Sequence, residues 1–271
     1  MNEIICQNIN TRVSIADKVT LGKNIIFGSN CINICIGYGC FLGDDLYIDV
    51  PELKIGDYST IHRGGTIHGY KQCSIGHNCW IGQYTIIDSI GGVQIANNVG
   101  IGASSQLWSH IKFGDTLEGC NWNKSKKLII EDDVWIVGHC IVSPIRAEKK
   151  SMLLVGSVAT NDMYENHIYA GSPAKDITES VGNQFVDIPF ETKKQRFFNL
   201  YSEFMNLNKL YETNFRVYLS NNLDEVKSSE TETFFDLNNR MYLPSRSKNE
   251  YKFMKYLLYD KAKFIPYIRN P

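Results

Sequence analysis

Apolar residues recur every six positions along the first part of the chain. They form five sets of three, with a shift of one to three residues between sets: Ile15, Leu21, Phe27; Ile36, Leu42, Ile48; Ile55, Ile61, Ile67; Ile75, Ile81, Ile87; Ile95, Ile101, Leu107. A period of six matches neither an α-helix nor a half-buried strand, whose periods are about 3.6 and about 2. It predicts a short strand and a corner, repeated three times per turn of a triangular coil, with backbone pairing between stacked turns.

Glycine often follows the inward apolar residue, as in Ile36-Gly37, Ile75-Gly76 and Ile101-Gly102. Because glycine adopts backbone angles that strain other residues, we expect these glycines to form the corners of the coil. The inward aliphatic positions of the coil explain why 26 of the 31 isoleucines lie within the first 145 residues.

The repeat breaks after Leu107 and resumes at Ile130. The insertion, residues 108–129, carries two of the four tryptophans, His110 and several lysines. Long insertions in a regular scaffold are where function concentrates. Its aromatic residues suit the faces of sugars or adenine, and its lysines suit phosphates, so the insertion is the first candidate for a site.

The pattern changes again towards the C-terminus. Residues 183–271 contain no glycine, but they contain 10 of the 13 Phe and 8 of the 15 Tyr. We therefore predict two domains, a coil domain over 1–178 and a small α+β lobe over 179–271. Within the lobe we expect a helix over 191–210, strands over 215–219 and 231–237, and a helix that opens at the capping box 247–250 and ends at Pro266.

Composition excludes several classes of function. The chain has 28 Lys+Arg against 29 Asp+Glu, so it offers no overall attraction to nucleic acid. No apolar run reaches the roughly 18–20 residues of a membrane span, and the start lacks a signal-peptide layout, so we expect a cytoplasmic protein. The eight cysteines form no CxxC pair, and we expect them to be reduced, small core residues.

Two further motifs follow the repeat, Val155-Gly-Ser-Val-Ala-Thr-Asn-Asp162 and Tyr169-Ala-Gly-Ser-Pro-Ala-Lys175. Together with the repeat they resemble the acetyl-CoA-dependent hexapeptide-repeat transferases, over roughly residues 13–178. The resemblance implies a mainly β fold, a left-handed parallel β-helix in the shape of a triangular prism. It also implies acetyl-CoA as cosubstrate and a homotrimer with its sites between adjacent prisms.

The resemblance implies that His110, at the start of the insertion, is the general base for direct transfer of an acetyl group. Imidazole suits this role because it accepts a proton near neutral pH. Asp88 lies one coil earlier, where stacking brings it close to the imidazole or to the sugar; the alternative is an Asx turn at a corner. Some relatives place an Asn near the acceptor, but 82–84 here reads Gly-Gln-Tyr, which leaves the mode of acceptor binding open.

By the same resemblance, six residues face the cosubstrate. Asn161 stands where the family usually has Lys, so a phosphate contact would fall to Lys175 or to Arg146, Lys149 or Lys150. The predicted cosubstrate-binding residues are Trp135, Gly138, Val155, Thr160, Asn161 and Lys175.

These expectations lead to a first hypothesis: an acetyl-CoA-dependent O-acetyltransferase for a sugar hydroxyl of a surface polysaccharide or its precursor. An N-acetyltransferase of an amino sugar and a non-catalytic β-helix scaffold are the alternatives. Carbonic anhydrases of the γ class share the fold but bind zinc through two His five residues apart. No two of the six His here have that spacing, so we predict no metal.

Overall fold

The computed structural model describes residues 4–268 and divides the chain into two compact units, 1–185 and 186–271. The division lies seven residues after the predicted boundary at residue 178, and the short helix Thr178–Val181 belongs to the first unit.

Three parallel sheets run along the first unit, and each turn of the coil adds one short strand to each sheet. The first sheet contains Ile4–Cys6, Ile25–Phe27, Tyr47–Asp49, Thr66–His68, Ile86–Asp88, Gln106–Leu107, Ile141–Val142 and Val158–Ala159. The second contains Arg12–Ile15, Asn33–Ile36, Glu52–Ile55, Cys73–Ile75, Val93–Ile95, Leu128–Ile130 and Arg146–Ala147. The third contains Thr20–Leu21, Phe41–Leu42, Thr60–Ile61, Trp80–Ile81, Gly100–Ile101, Trp135–Ile136, Met152–Leu153, Ile168–Gly171 and, antiparallel, Ala174–Asp176.

The register places the six-residue repeat in the core. Ile67, for example, is paired with Ile48 on one side and Ile87 on the other, so equivalent side chains stack inside the coil. All predicted inward positions from Phe27 to Leu107 are buried, whereas Ile15 and Leu21, near the open first turn, are not. Each buried aliphatic side chain contributes about 1.5–3 kcal/mol of hydrophobic stabilisation. The predicted mainly β fold, a coil of stacked parallel strands, is confirmed.

The expected role of the repeat glycines is wrong. Gly76 has no left-handed backbone angle; a Cβ there would instead lie 2.5 Å from the carbonyl oxygen of Ala96 on the next turn. The left-handed residue comes two positions later, at Asn78, with φ 58°. Glycine is therefore needed because adjacent turns approach closely, while Asn tolerates the corner.

The insertion forms a hairpin that leaves the prism. His110–Lys112 pairs antiparallel with Asn123–Ser125. The coil then continues undisturbed, because Leu128–Ile130 pairs with Val93–Ile95 from before the insertion.

The second unit is a small α+β lobe. Its sheet has the order Arg216–Leu219, Glu232–Asp236, Met241–Leu243, Ile265–Pro266, and its helices are Phe190–Leu207 and Lys248–Leu257. Its core is aromatic, since Phe197, Phe204, Phe215, Phe235 and Phe253 contact one another.

The start of the second long helix follows the sequence prediction, but its end does not. Ser247 accepts a hydrogen bond from the N–H of Glu250, as a cap should. The helix ends at Leu257, however, and Pro266 lies in a strand. Ile265 is drawn into the sheet by pairing with Met241, and an edge strand tolerates a residue without an N–H.

The cysteines follow the prediction only in part. Five are buried, but Cys6 and Cys35 are exposed and Cys120 is half-buried, and all eight are free thiols. Cys35 is exposed because it points outward in a strand whose alternate residues, Ile34 and Ile36, point inward. Within residues 4–268, no helix is long and apolar enough to cross a bilayer.

Candidate active site

Asp88 lies at the end of strand Ile86–Asp88, where the base of the hairpin covers it completely. Its Oδ1 accepts three hydrogen bonds: from the Ser109 N–H at 3.1 Å, from the Ser109 hydroxyl at 2.9 Å, and from Nδ1 of His110 at 2.8 Å. The sequence prediction that stacking brings Asp88 near His110 describes this geometry. The carboxylate thus fixes Ser109 and His110, near the start of the insertion.

The sequence around Asp88 explains how the hairpin can pass over it. The N–H of Gly91 donates to the Ser109 hydroxyl at 2.7 Å. A Cβ at Gly91 would collide with the carbonyl oxygens of Ser109 and Lys126, the two ends of the hairpin stem. Ser109 and Gly91 were not predicted as site residues, because only the three-dimensional contact at the stem gives them a role.

The carboxylate also fixes the tautomer of His110. A carboxylate only accepts hydrogen bonds, so Nδ1 of His110 is the donor and the lone pair lies on Nε2. The side chain is 21 % exposed, and the ring of Trp108 lies edge-on at 6.2 Å. An oriented, partly exposed imidazole with a free Nε2 is the arrangement of a general base.

The other oxygen of Asp88 has a different environment. Oδ2 is buried and accepts no hydrogen bond from the described residues. Nδ1 of His68, one coil below, lies 3.9 Å away.

The rest of the hairpin is solvated in the single chain. Phe113 and Leu117 are almost completely exposed, Trp122 is mostly exposed, and the ammonium of Lys124 lies over the Trp122 ring at 5.7 Å. Such an apolar group on one loop is characteristic of a binding surface.

Two of the predicted cosubstrate residues lie on adjacent turns. Gly138 is joined to the turn of Val155 by a hydrogen bond from the Gly156 N–H to the Gly138 carbonyl, 3.0 Å long. Gly138 is buried with φ 149°, and Val155 is 64 % exposed. Trp135 lies on the third sheet, where its ring packs beside Gly100 and remains 47 % exposed.

Thr160 and Asn161 follow strand Val158–Ala159, at the same end of the first sheet as Asp88. An ion pair of 3.8 Å between Lys126 and Asp162 ties this segment to the hairpin. Lys175 is exposed on the added strand Ala174–Asp176 of the third sheet. The structure therefore places Thr160 and Asn161 on the same edge of the prism as His110, two turns further along, and it leaves Trp135 and Lys175 on the third sheet.

The remaining histidines have local roles. His62 lies between Phe41 and Trp80, and burial lowers its pKa. His77 accepts a hydrogen bond from the N–H of Asp57, and His139 is exposed at a corner. His167 pairs with Asp176, and hydrogen bonds from Thr178 and His167 lower the pKa of Asp176 to about 2.

A groove of about 590 Å³ runs along the edge of the prism beside the hairpin stem. Its lining includes Glu52, Tyr70, Lys71, Gly91, Gly92 and Lys127. Among residues 4–268 no group of three or more His, Cys, Asp or Glu side chains is placed to hold a metal ion.

No protein-family model matches the sequence. A bifunctional GlmU protein of Paraburkholderia xenovorans is 26% identical over 164 residues, which cover 54% of this chain and 33% of the relative. The chain thus spans about a third of the length of this curated relative.

Solved structures give partial likenesses. An N-acyltransferase, AntD of Bacillus cereus, solved as a point mutant with dTDP and coenzyme A, has a TM-score of 0.44 at 17% identity and covers 63% of this chain and 93% of its own. A hexapeptide-repeat acetyltransferase of Vibrio cholerae, VCA0836, solved with acetyl-coenzyme A, has a TM-score of 0.36 at 18% identity. The match covers 52% of this chain and 68% of the acetyltransferase. The chain is thus similar to hexapeptide-repeat acyltransferases, in line with the resemblance predicted from the sequence.

Proposed function

We propose that this chain is a hexapeptide-repeat acyltransferase that moves an acetyl group from acetyl-CoA to a sugar hydroxyl of a surface polysaccharide or its precursor. The observation that carries the proposal is the pairing of His110 with the buried Asp88, at the point where the regular coil opens into a hairpin.

His110 acts as the general base in this proposal. Its Nε2 takes the proton of the acceptor hydroxyl as that oxygen bonds to the acetyl carbon, and the bond from carbon to sulfur breaks. The imidazolium then returns the proton to the departing sulfur, so CoA leaves as its thiol. Asp88 stabilises the imidazolium through Oδ1 and holds the ring in one orientation. No acyl-enzyme is required.

The residues present fit acetyl-CoA as the cosubstrate. The exposed side chain of Val155, on the turn next to Gly138, suits packing against the pantetheine arm. Thr160 and Asn161 lie on the same edge of the prism as His110, and the exposed ammonium of Lys175 suits a phosphate. Trp135 offers an exposed ring beside this path.

The groove beside the hairpin supports a sugar acceptor. An exposed Tyr70 suits stacking on a sugar ring, and the ammonium groups of Lys71 and Lys127 suit an acidic saccharide. The exposed apolar hairpin supports a homotrimer in which each hairpin packs on the neighbouring prism, in the cytoplasm where acetyl-CoA is made available.

The test is transfer from radiolabelled acetyl-CoA to a panel of neutral, acidic and amino sugars and their oligosaccharides. We expect an ester product, cleaved by alkaline hydroxylamine. An amide product, which resists hydroxylamine, would assign the chain to the N-acetyltransferases instead. Acetyl-CoA binding without transfer to any acceptor would favour a non-catalytic role.

A further inference from the structure

The buried carboxylate of Asp88 uses only one of its two oxygens. Oδ1 accepts three hydrogen bonds, whereas Oδ2 accepts none from the described residues, although the side chain has no exposed surface. Leaving a buried carboxylate oxygen unpaired is unfavourable, and such groups are rare in folded proteins. Oδ2 therefore needs a partner when the site is at work.

His68 is placed to be that partner. It pairs in register with Asp88 in the first sheet, one coil below, a step of about 4.8 Å. Its Nδ1 lies 3.9 Å from Oδ2, slightly beyond hydrogen-bonding distance, and its side chain is 36 % exposed. A small rotation of the imidazole brings Nδ1 within reach of the oxygen.

The neighbour on the other side of His68 is already engaged. Asp49, one coil further down, accepts hydrogen bonds from the N–H and the side-chain amide of Asn30, both at 2.8 Å. Of the two carboxylates beside His68, Asp88 is therefore the one with an oxygen that accepts no hydrogen bond from the described residues.

We propose that His68 binds the acceptor beside His110, an inference that rests on the proposed acyl transfer. When Nδ1 of His68 donates to Oδ2, its lone pair lies on Nε2, as in His110. One carboxylate then orients two imidazoles, one from the turn before Asp88 and one from the turn after it. His110 takes the proton of the reacting hydroxyl, and His68 accepts a hydrogen bond from the hydroxyl on the adjacent ring carbon. The acceptor class is therefore a sugar with two neighbouring free hydroxyls.

The test compares each active methyl glycoside from the acceptor panel with analogues that lack one neighbouring hydroxyl. Wild type, His68→Phe and His68→Gln are measured with both acceptors, and Tyr47→Phe serves as a control on the same sheet. We expect His68→Phe to lower kcat/KM for the diol about tenfold or more, chiefly through KM, since it removes one hydrogen bond to substrate. His68→Gln, whose amide oxygen reaches the place of Nε2, is expected to restore part of the loss.

The deoxy acceptor gives the decisive comparison. Wild type and His68→Phe are expected to use it equally, because the lost contact needs both partners. A His68→Phe variant that loses the same factor with both acceptors, or with neither, would overturn the inference while leaving the acyl transfer of the wild type standing. A wild type that transfers to no acceptor would overturn the proposed function itself, and the role of His68 with it.

Discussion

Replacement of Asp88 by Asn separates catalysis from stability. Asn has almost the same shape, and its amide oxygen can still accept hydrogen bonds from Ser109. It removes the negative charge that stabilises the imidazolium of His110. We therefore expect Asp88→Asn to fold as well as wild type but to react much more slowly.

The magnitude follows from the contact that changes. A hydrogen bond to a charged group contributes about 1.5–3 kcal/mol, and about 1.4 kcal/mol is a factor of ten in rate. The loss in kcat is therefore about 10- to 150-fold. The free energy of unfolding should stay within about 1 kcal/mol of wild type, because the variant no longer buries a charge with an unpaired oxygen.

Steady-state transfer and thermal unfolding, measured on the same preparations, test this. Asp57→Asn is the matched control, since Asp57 is also buried and accepts a backbone hydrogen bond, from Tyr38, away from the hairpin. The control should retain its kcat. Wild-type turnover in Asp88→Asn, or a loss of activity that only parallels a loss of stability, would refute the role assigned to Asp88.

Three further predictions concern the scaffold. Gly76→Ala should destabilise the coil by about 2 kcal/mol or more, because the new Cβ collides with the backbone of the next turn. Gly119→Ala, which is in open space with φ 82°, should cost only about 1–2 kcal/mol. A lower melting temperature for Gly119→Ala than for Gly76→Ala would contradict the argument that adjacent turns approach closely at Gly76. A thiol reagent at about pH 8 should modify exposed Cys35 in the native protein, but Cys73, whose pKa burial raises to about 12, only after unfolding; early labelling of Cys73 would contradict its burial. The pKa of Asp176 is about 2 in the folded chain against about 3.9 when unfolded, so this group adds stability that is complete above about pH 5 and is lost as the pH falls towards 2. Asp176→Asn should therefore slightly reduce the fall in melting temperature between about pH 5 and pH 2, and only slightly because the group is exposed. An unchanged fall would count against the pairing of Asp176 with His167.

The sequence predicts the coil well because one period specifies the strand length, the inward residues and the stacking together. The buried ladder through Ile48, Ile67 and Ile87 follows directly from spacing. The glycine prediction failed because close approach between turns and left-handed angles both favour glycine, and a sequence does not distinguish them. Only the stacked turns show that the contact lies at Gly76 and the corner at Asn78.

The site is predictable only in part. His110 and Asp88 could be suggested from the break in the repeat and from the count of residues per turn. The meeting of Ser109, His110 and His68 around one carboxylate could not, because it depends on residues from three different turns. The lobe was predicted less well at Pro266, where pairing with a sheet outweighs the local helical pattern.

The role of His110 as the base is tested most directly by His110→Ala. We predict that kcat for acetyl transfer falls by more than about 100-fold while the dissociation constant for acetyl-CoA, measured by calorimetry, stays within about twofold of wild type. Turnover by His110→Ala close to that of wild type would contradict this role.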